Sequence, residues 1–184
     1  SACLVGSENV YKRQKQAFIE AYDLYIEQVY RFVYFKIGSK EDAEDITSMV
    51  FLKCWNYIYE GKLESHDTLK PLLYKIARNT IIDHYRQKQN RVTVPLEAAA
   101  ETSDPSLDVH SAMVSNLDFQ KVVQEKLPLL KEEYRDVIIL RFINELSVSE
   151  IARILGKTSG NVRVLIHRAL QSLQATVNQN EDHD

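Results

Sequence analysis

The chain has 184 residues, of which 45% are hydrophobic and 27% are charged, with only five glycines and four prolines. This length allows one large or two small domains with real cores, and the scarcity of glycine and proline favours long helices. The formal net charge of −3 excludes a protein that attracts nucleic acid through its overall charge, so a DNA-binding chain of this composition must concentrate its basic residues locally.

The first part of the chain predicts three helices that form one compact domain at 11–90. A broad apolar stripe at helical spacing runs through 11–37. A second helix follows a capping signature at Ser39 and Asp42, and its acidic first turn complements the helix dipole. A third amphipathic helix spans about 69–88.

The pattern breaks at 91–116, where two prolines, three consecutive alanines and scattered acids predict a flexible acidic linker. A second helical domain is predicted at 117–175. It begins with a helix at about 117–126, is interrupted at Pro128, and continues with a helix at about 131–143. The fold class is therefore all-α, with two helical domains.

The stretch that follows predicts a helix-turn-helix. Ser147 and Glu150 form a capping box for its first helix, Gly156 suits the positive φ that closes it, and Thr158 or Ser159 caps the second helix. The outer face of the second helix carries no acid and contains Asn161, Arg163, His167 and Arg168. Such a helix is typical of those that enter the DNA major groove. The alternative is an ordinary helical hairpin with a solvated basic face, because bare helix-turn-helix patterns are common.

Charge alternates along the chain, and the third helix is the most basic segment. From Ser65 to Arg91 six basic residues stand against two acids, whereas the linker and the end of the chain are acidic. Cys3 and Cys54 are isolated, so neither a disulfide framework nor a zinc site is expected, and Cys54 is predicted to lie in a core. We expect no cofactor, no catalytic constellation, no membrane insertion and a cytoplasmic location.

Three segments, in order, carry a resemblance to a known family. They read EDAEDITSMVFLKCW at 41–55, LKPLLYKIARNTIIDHYR at 69–86, and LSVSEIARILGKTSGNVRVLIHRALQSL at 146–173. They are similar to regions 2.2, 2.3–2.4 and 4.2 of bacterial RNA polymerase sigma factors of the extracytoplasmic-function (ECF) group. The resemblance covers nearly all of 14–175. It implies a non-enzymatic factor that binds core RNA polymerase and directs promoter-specific initiation through −35 and −10 recognition and −10 melting.

The resemblance implies that the region 2.2 helix docks on the coiled coil of the largest polymerase subunit. It also implies a contact with the polymerase flap. The implied polymerase-binding residues are Asp42, Glu44, Asp45, Phe51, Lys53 and Asn56. Compensation of the helix dipole and core packing explain the acids almost as well. Ser48 and Met49 replace the polar pair that the family usually has there.

The similarity to regions 2.3 and 2.4 implies that this segment reads and opens the −10 element. The loop at about 62–68 would capture an unstacked base, and the amide of Asn79 would read a base edge. The implied −10 residues are Lys75, Arg78, Asn79, Arg86 and His66. A surface or capping role is the alternative for Asn79. Leu72 stands where many members have Trp, so melting is expected to rest more on Tyr74 or His66.

Region 4.2 implies reading of the −35 element as duplex DNA. The implied residues are Arg153, Asn161, Arg163, His167 and Arg168. Leu165 replaces a frequent Arg, so one DNA contact is expected to be missing. In the linker, Glu97, Glu101, Asp104 and Asp108 are expected either to imitate phosphates inside the polymerase cleft or simply to solvate the chain.

The implied partners are core RNA polymerase and promoter DNA, and ECF factors commonly pair with an anti-sigma factor. Two other functions are open from the sequence. One is a polymerase-independent helix-turn-helix regulator that binds an operator as a dimer. The other is a helical adaptor that has lost DNA binding, which the basic third and final helices argue against.

Overall fold

The computed structural model describes residues 2–63, 65–91 and 125–178, and within these ranges the regular secondary structure is all helical, without strands. The helices are α1 (Ala2–Ile37), α2 (Lys40–Tyr59), α3 (Leu69–Arg91), α4 (Glu132–Ile138), α5 (Val148–Leu155) and α6 (Ser159–Asn178). Single 3₁₀ turns occupy His66–Thr68 and Leu127–Leu129. The all-α fold class is thus confirmed.

Helices α1, α2 and α3 pack against one another around a shared apolar core. Aromatic rings join α1 to α2: Phe18 lies 5.1 Å from Trp55, and Tyr22 lies 4.9 Å from Phe51, measured between ring centroids. Phe51 is buried. Its ring fills the α1–α2 core, so this predicted polymerase contact is not exposed on the surface of α2. Cys54 is buried as predicted.

The predicted boundaries between these helices are close to the observed ones. Gly38 adopts φ +78° and donates its N–H to the carbonyl of Tyr34, which ends α1. The Ser39 hydroxyl then accepts the N–H of Asp42 at 3.3 Å, which caps α2. Helix α1 begins nearer the chain start than the predicted residue 11.

The second helical unit contains a π-turn that the sequence did not indicate. A single regular helix was predicted at 131–143, but α4 ends at Ile138 and five residues, Ile139–Ile143, widen into π-helix. The N–H of Asn144 accordingly reaches back to the carbonyl of Ile139. Of the helix predicted at 117–126, only the last two residues lie within the described part of the chain, and they are helical.

The helix-turn-helix forms as the local signals predict. The Ser147 hydroxyl accepts the N–H of Glu150, and the Glu150 carboxylate accepts the N–H of Ser147 at 2.8 Å. Gly156 has φ +63° at the end of α5. Between the two candidate caps of α6, the hydroxyl of Thr158 is the one that accepts the N–H of Asn161.

The two helical units lie directly against each other. Helix α3 packs on α5, and α1 packs on the π-turn, so the buried side chains of both units form one continuous cluster. The predicted linker, including Glu97, Glu101, Asp104 and Asp108, falls outside the described residues. Within the described residues, no helix is both long enough and apolar enough to cross a membrane.

We expect Ser147→Ala to lower the free energy of unfolding by about 1 kcal/mol, because it removes the side-chain acceptor for the first turn of α5. Ser149→Ala, two residues further along the same helix at an exposed position, is the matched control and should change stability by less than about 0.5 kcal/mol. Urea denaturation followed by circular dichroism measures both. Equal effects of the two substitutions would contradict the capping role.

Candidate nucleic-acid interface

The outer face of α6 is basic and exposed to solvent. Four predicted side chains along it are exposed: Asn161, Arg163, His167 and Arg168. The opposite face, with Val162, Leu165 and Ala169, is buried in the second unit. Leu165 therefore serves the core, and its aliphatic side chain at this position is explained by packing. A basic, acid-free helix face of this kind fits the major groove of duplex DNA.

Helix α3 presents a second polar face. Lys75, Asn79 and Arg86 are all exposed, and their spacings of four and seven residues place them on one side of the helix. Of the five predicted −10 residues, the structure brings these three together. The side chain of His66 lies outside the described residues.

Arg78 and Tyr74 turn away from that exposed face toward the second unit. The Arg78 guanidinium binds the carboxylate of Asp136, with 2.9 Å between Nε and Oδ2. Tyr74 is buried and accepts a hydrogen bond from the amide of Asn144. Its ring is packed 5.4 Å from Phe32 in the core, so Tyr74 is not exposed for the expected role in DNA melting. Burial also raises the pKa of its hydroxyl.

Helix α2 carries an exposed stripe at the spacing of one helix face, and its members are Asp45, Met49, Leu52 and Asn56. Leu52, which is 60% exposed, was missed by the sequence reasoning. Its spacing could have predicted this exposure, because Leu52 lies three residues after Met49 and four before Asn56, on the same helix face. Apolar and polar groups in one exposed row suit a protein partner.

Two other residues predicted to bind polymerase are engaged within the first unit. One Asp42 oxygen lies 3.3 Å from Lys88 Nζ and 3.6 Å from His84 Nε2, which ties α2 to α3. Lys53 donates to the hydroxyl of Thr80 at 3.2 Å. The Glu44 side chain is exposed. Asp42 and Lys53 therefore stabilise the three-helix unit in this structure.

A buried ion cluster forms where the two units meet. Asp136, on α4, has no exposed surface and accepts from Lys36 of α1 at 2.5 Å and from Arg78 of α3 at 2.9 Å. The Lys36 side chain is itself only 3% exposed. A carboxylate removed from water needs such partners, because burying an unpaired charge is strongly unfavourable.

Glu150 makes a second contact of this kind nearer the surface. It accepts a hydrogen bond from Lys70 Nζ at 2.7 Å while closing the capping box of α5. Burial raises the pKa of this carboxyl, but the hydrogen bonds from Lys70 and Ser147 outweigh it and lower the pKa to about 2. Glu150 therefore links the start of the helix-turn-helix to α3.

A groove of about 320 Å³ runs along the boundary of the two units. Lys75, from the exposed face of α3, and Arg153, from α5, both line it. Arg153 thus shares a groove with Lys75, one of the predicted −10 residues. Among the described residues, no three His, Cys, Asp or Glu side chains gather as a metal site would require.

Comparisons with known proteins match both units. The family model "Sigma-70 region 2" matches residues 21–91, and "Sigma-70, region 4" matches residues 120–173. The ECF RNA polymerase sigma factor SigW of Bacillus subtilis is 29% identical over 177 residues, covering 91% of this chain and 92% of SigW. The ECF RNA polymerase sigma factor BldN of Streptomyces coelicolor is 29% identical over 160 residues, covering 87% of this chain but only 60% of BldN.

Solved structures share the fold. The sigma factor RpoE, in complex with the anti-sigma factor NepR from Bartonella quintana, aligns with a TM-score of 0.66 and 24% identity, covering 88% of this chain and 96% of RpoE. CnrH, in complex with the cytosolic domain of CnrY, aligns with a TM-score of 0.62 and 19% identity, covering 90% of each chain.

The contact made by Glu150 predicts a specific pH dependence. Because the pKa is lowered to about 2 in the folded chain, against about 4.3 in an unfolded one, the stabilisation is complete above about pH 4.3 and is lost as the pH falls toward 2. Glu150→Gln should therefore flatten the fall of the melting temperature across this window. Glu20→Gln, on the exposed face of α1, is the charge control. Equal slopes for wild type and Glu150→Gln would contradict the assignment.

Proposed function

Because this chain belongs to the ECF group of RNA polymerase sigma factors, we propose that it binds core RNA polymerase, recognises −35 and −10 promoter elements and helps to melt the −10 region. The observation that carries the proposal is that two helix faces with exposed basic and amide side chains are present. One lies on α3 in the region 2 unit and the other on α6 in the region 4 unit. A free-standing helix-turn-helix needs only the second.

The −35 element is read as duplex by α6. Its exposed row of Asn161, Arg163, His167 and Arg168 offers an amide for base edges and cations for both bases and phosphates. The buried face of the same helix is anchored by Val162, Leu165 and Ala169. A helix held this firmly presents its polar side chains in a fixed register, which base reading requires.

The −10 element is read by α3. Asn79 is exposed between Lys75 and Arg86 on one face, so an amide that can pair with a base edge is flanked by two cations for phosphates. Single-stranded DNA is held by cations along its backbone together with contacts to its unstacked bases. The 62–68 loop, which enters α3 directly, is the proposed site of base capture.

The exposed stripe of α2 binds core polymerase. Its Met49 and Leu52 are 46% and 60% exposed. Large apolar side chains between Asp45 and Asn56 give a surface with an apolar centre and polar edges, as protein interfaces have. We assign this stripe to the coiled coil of the largest polymerase subunit, with Glu44 at its margin. The second unit meets the flap.

An anti-sigma factor is the proposed negative regulator. RpoE, which has the same fold, was solved in complex with the anti-sigma factor NepR. A partner of this kind would compete with polymerase for the chain. The proposed site of action, the cytoplasm, follows from the polymerase being there.

The first test of this function is assembly with polymerase. The purified chain should bind core RNA polymerase far more tightly than it binds duplex DNA alone, since its net charge of −3 gives little non-specific attraction to DNA. Binding measured by fluorescence anisotropy, and run-off transcription with core enzyme on a genomic fragment library, check this. Specific footprinting by the isolated protein, without gain from polymerase, would favour the polymerase-independent regulator.

The second test separates the two DNA-reading helices. Arg163→Ala should weaken closed promoter binding by about 1–3 kcal/mol if the guanidinium contacts a base, whereas Asn79→Ala should impair open-complex formation. Transcription from duplex templates and from templates with a pre-melted −10 bubble, each with intact or scrambled −35, distinguishes them. A bubble relieves a melting defect but does not restore −35 recognition.

Lys157→Ala, at an exposed position in the turn before α6, is the matched control for Arg163→Ala. If Arg163→Ala still prefers the intact −35 as strongly as wild type, the recognition residue has been assigned wrongly.

A further inference from the structure

We infer that Val164 is a specificity-determining residue of this chain and that it reads the methyl group of a thymine in the −35 element. The inference rests on the proposed function, because it names the base that one side chain of α6 selects. The residues implied for the −35 element are all polar, and Val164 adds an apolar contact to them.

Val164 is an apolar side chain on an otherwise polar surface. It is 50% exposed, and its exposed neighbours Arg163, His167 and Arg168 are polar. Helix α6 contains no acid from Ser159 to Asn178. One apolar side chain within a basic face suits the major groove of DNA, which has phosphates along its edges and thymine methyl groups on its floor.

The buried face of α6 fixes the direction of Val164. Val162 and Ala169 are buried in the second unit, and successive residues of an α-helix are turned by about 100°. Val164 therefore lies about 160° around the helix from Val162 and about 140° from Ala169. Arg163 and Arg168 lie on either side of it. Val164 is thus near the centre of the surface that would enter the groove.

One turn before Val164, the helix has no side chain. Gly160 is exposed and stands four residues earlier, which is the spacing of neighbours on one helix face. Helical side chains lean toward the N-terminus, so the methyl groups of Val164 lean over this glycine. An added Cβ at Gly160 would meet the Thr158 hydroxyl at 3.9 Å, an ordinary contact. A side chain would therefore fit there, and its absence leaves room for a base beside Val164.

Neither Gly160 nor Val164 favours the helix in which it stands. Glycine is among the least favourable residues inside a helix, and valine loses side-chain freedom there because it is branched at Cβ. Both positions are exposed, so the core gains little from either residue. A contact with a ligand explains their presence better than the stability of α6 does.

Thymine is the base that an apolar side chain recognises in the major groove. Its C5-methyl group is an apolar feature that the other three bases lack. Contact between this methyl group and Val164 would remove both from water, which is favourable. Cytosine presents an amino group in the groove instead, and valine has no acceptor for it. Val164 would therefore add specificity, whereas cations that bind phosphates add affinity.

The test removes single methyl groups from the DNA and from the protein. A promoter found by run-off transcription is randomised over its −35 element, and the fragments bound by core polymerase with the full chain are recovered and sequenced. Each selected thymine, on either strand, is then replaced by deoxyuridine, which lacks only the methyl group. Competition in an electrophoretic mobility shift measures the affinity of the polymerase complex for each fragment.

At one thymine, deoxyuridine should weaken binding by the wild-type complex about threefold to fivefold, as expected for one buried methyl group. For Val164→Ala the same replacement should change affinity by less than about 1.5-fold, because both γ-methyl groups are gone and the two changes are no longer coupled. Val164→Thr keeps one γ-methyl group and should retain the sensitivity. Val164→Ala should also melt no lower than wild type, since alanine is the better helix former.

The matched control is Leu170→Ala. Leu170 is 41% exposed on the same helix but lies about 120° around it from Val164. This variant loses an exposed apolar side chain and should keep the full sensitivity to deoxyuridine. Three results would overturn the inference: a selected element without thymine, a wild type insensitive to every deoxyuridine, or equal sensitivity in wild type and Val164→Ala.

The outcomes separate this inference from the proposed function. If the full chain gives core polymerase no promoter preference, the proposed function is refuted and the inference falls with it. If the complex selects a −35 element but Val164 shows no coupling to a thymine methyl group, the proposed function stands and only the inference is refuted.

Discussion

The position of Asp136 constrains the whole molecule. Its carboxylate has no exposed surface, and its two cationic partners, Lys36 and Arg78, come from different helices of the other unit. A buried carboxylate without such partners would be strongly destabilising. Three elements must therefore meet at one point whenever the carboxylate is ionised and buried. They are α4, the end of α1 and the middle of α3. The orientation of the helix-turn-helix relative to the first three helices follows from this contact.

Glu150 shows how one side chain can serve local structure and long-range docking together. Its carboxylate closes the capping box with Ser147, and it also accepts from Lys70 across the boundary between the units. Fixing the carboxylate by the helix cap lowers the entropy lost when Lys70 binds it, because the acceptor is already in place. The start of the recognition motif and the docking of the two units are thus physically coupled.

Helix α3 divides its roles between its faces. Lys75, Asn79 and Arg86 lie on an exposed face, whereas Tyr74 and Arg78 face the second unit. The division explains how one basic helix can be held by the chain itself and still present polar groups to solvent.

The sequence alone determined most of the helices, several of their caps and the family. Periodicity and capping chemistry act within a few residues, so Ser39, Ser147 and Gly156 marked helix ends correctly, and the outward face of α6 followed from its spacing. The π-turn, the burial of Phe51 and the pairing of Arg78 with Asp136 could not be read in this way. They depend on which surfaces meet in the folded chain, as Arg78 and Asp136 do across 58 residues. Only the tertiary structure decides that, because charge and periodicity indicate several suitable partners and do not select one.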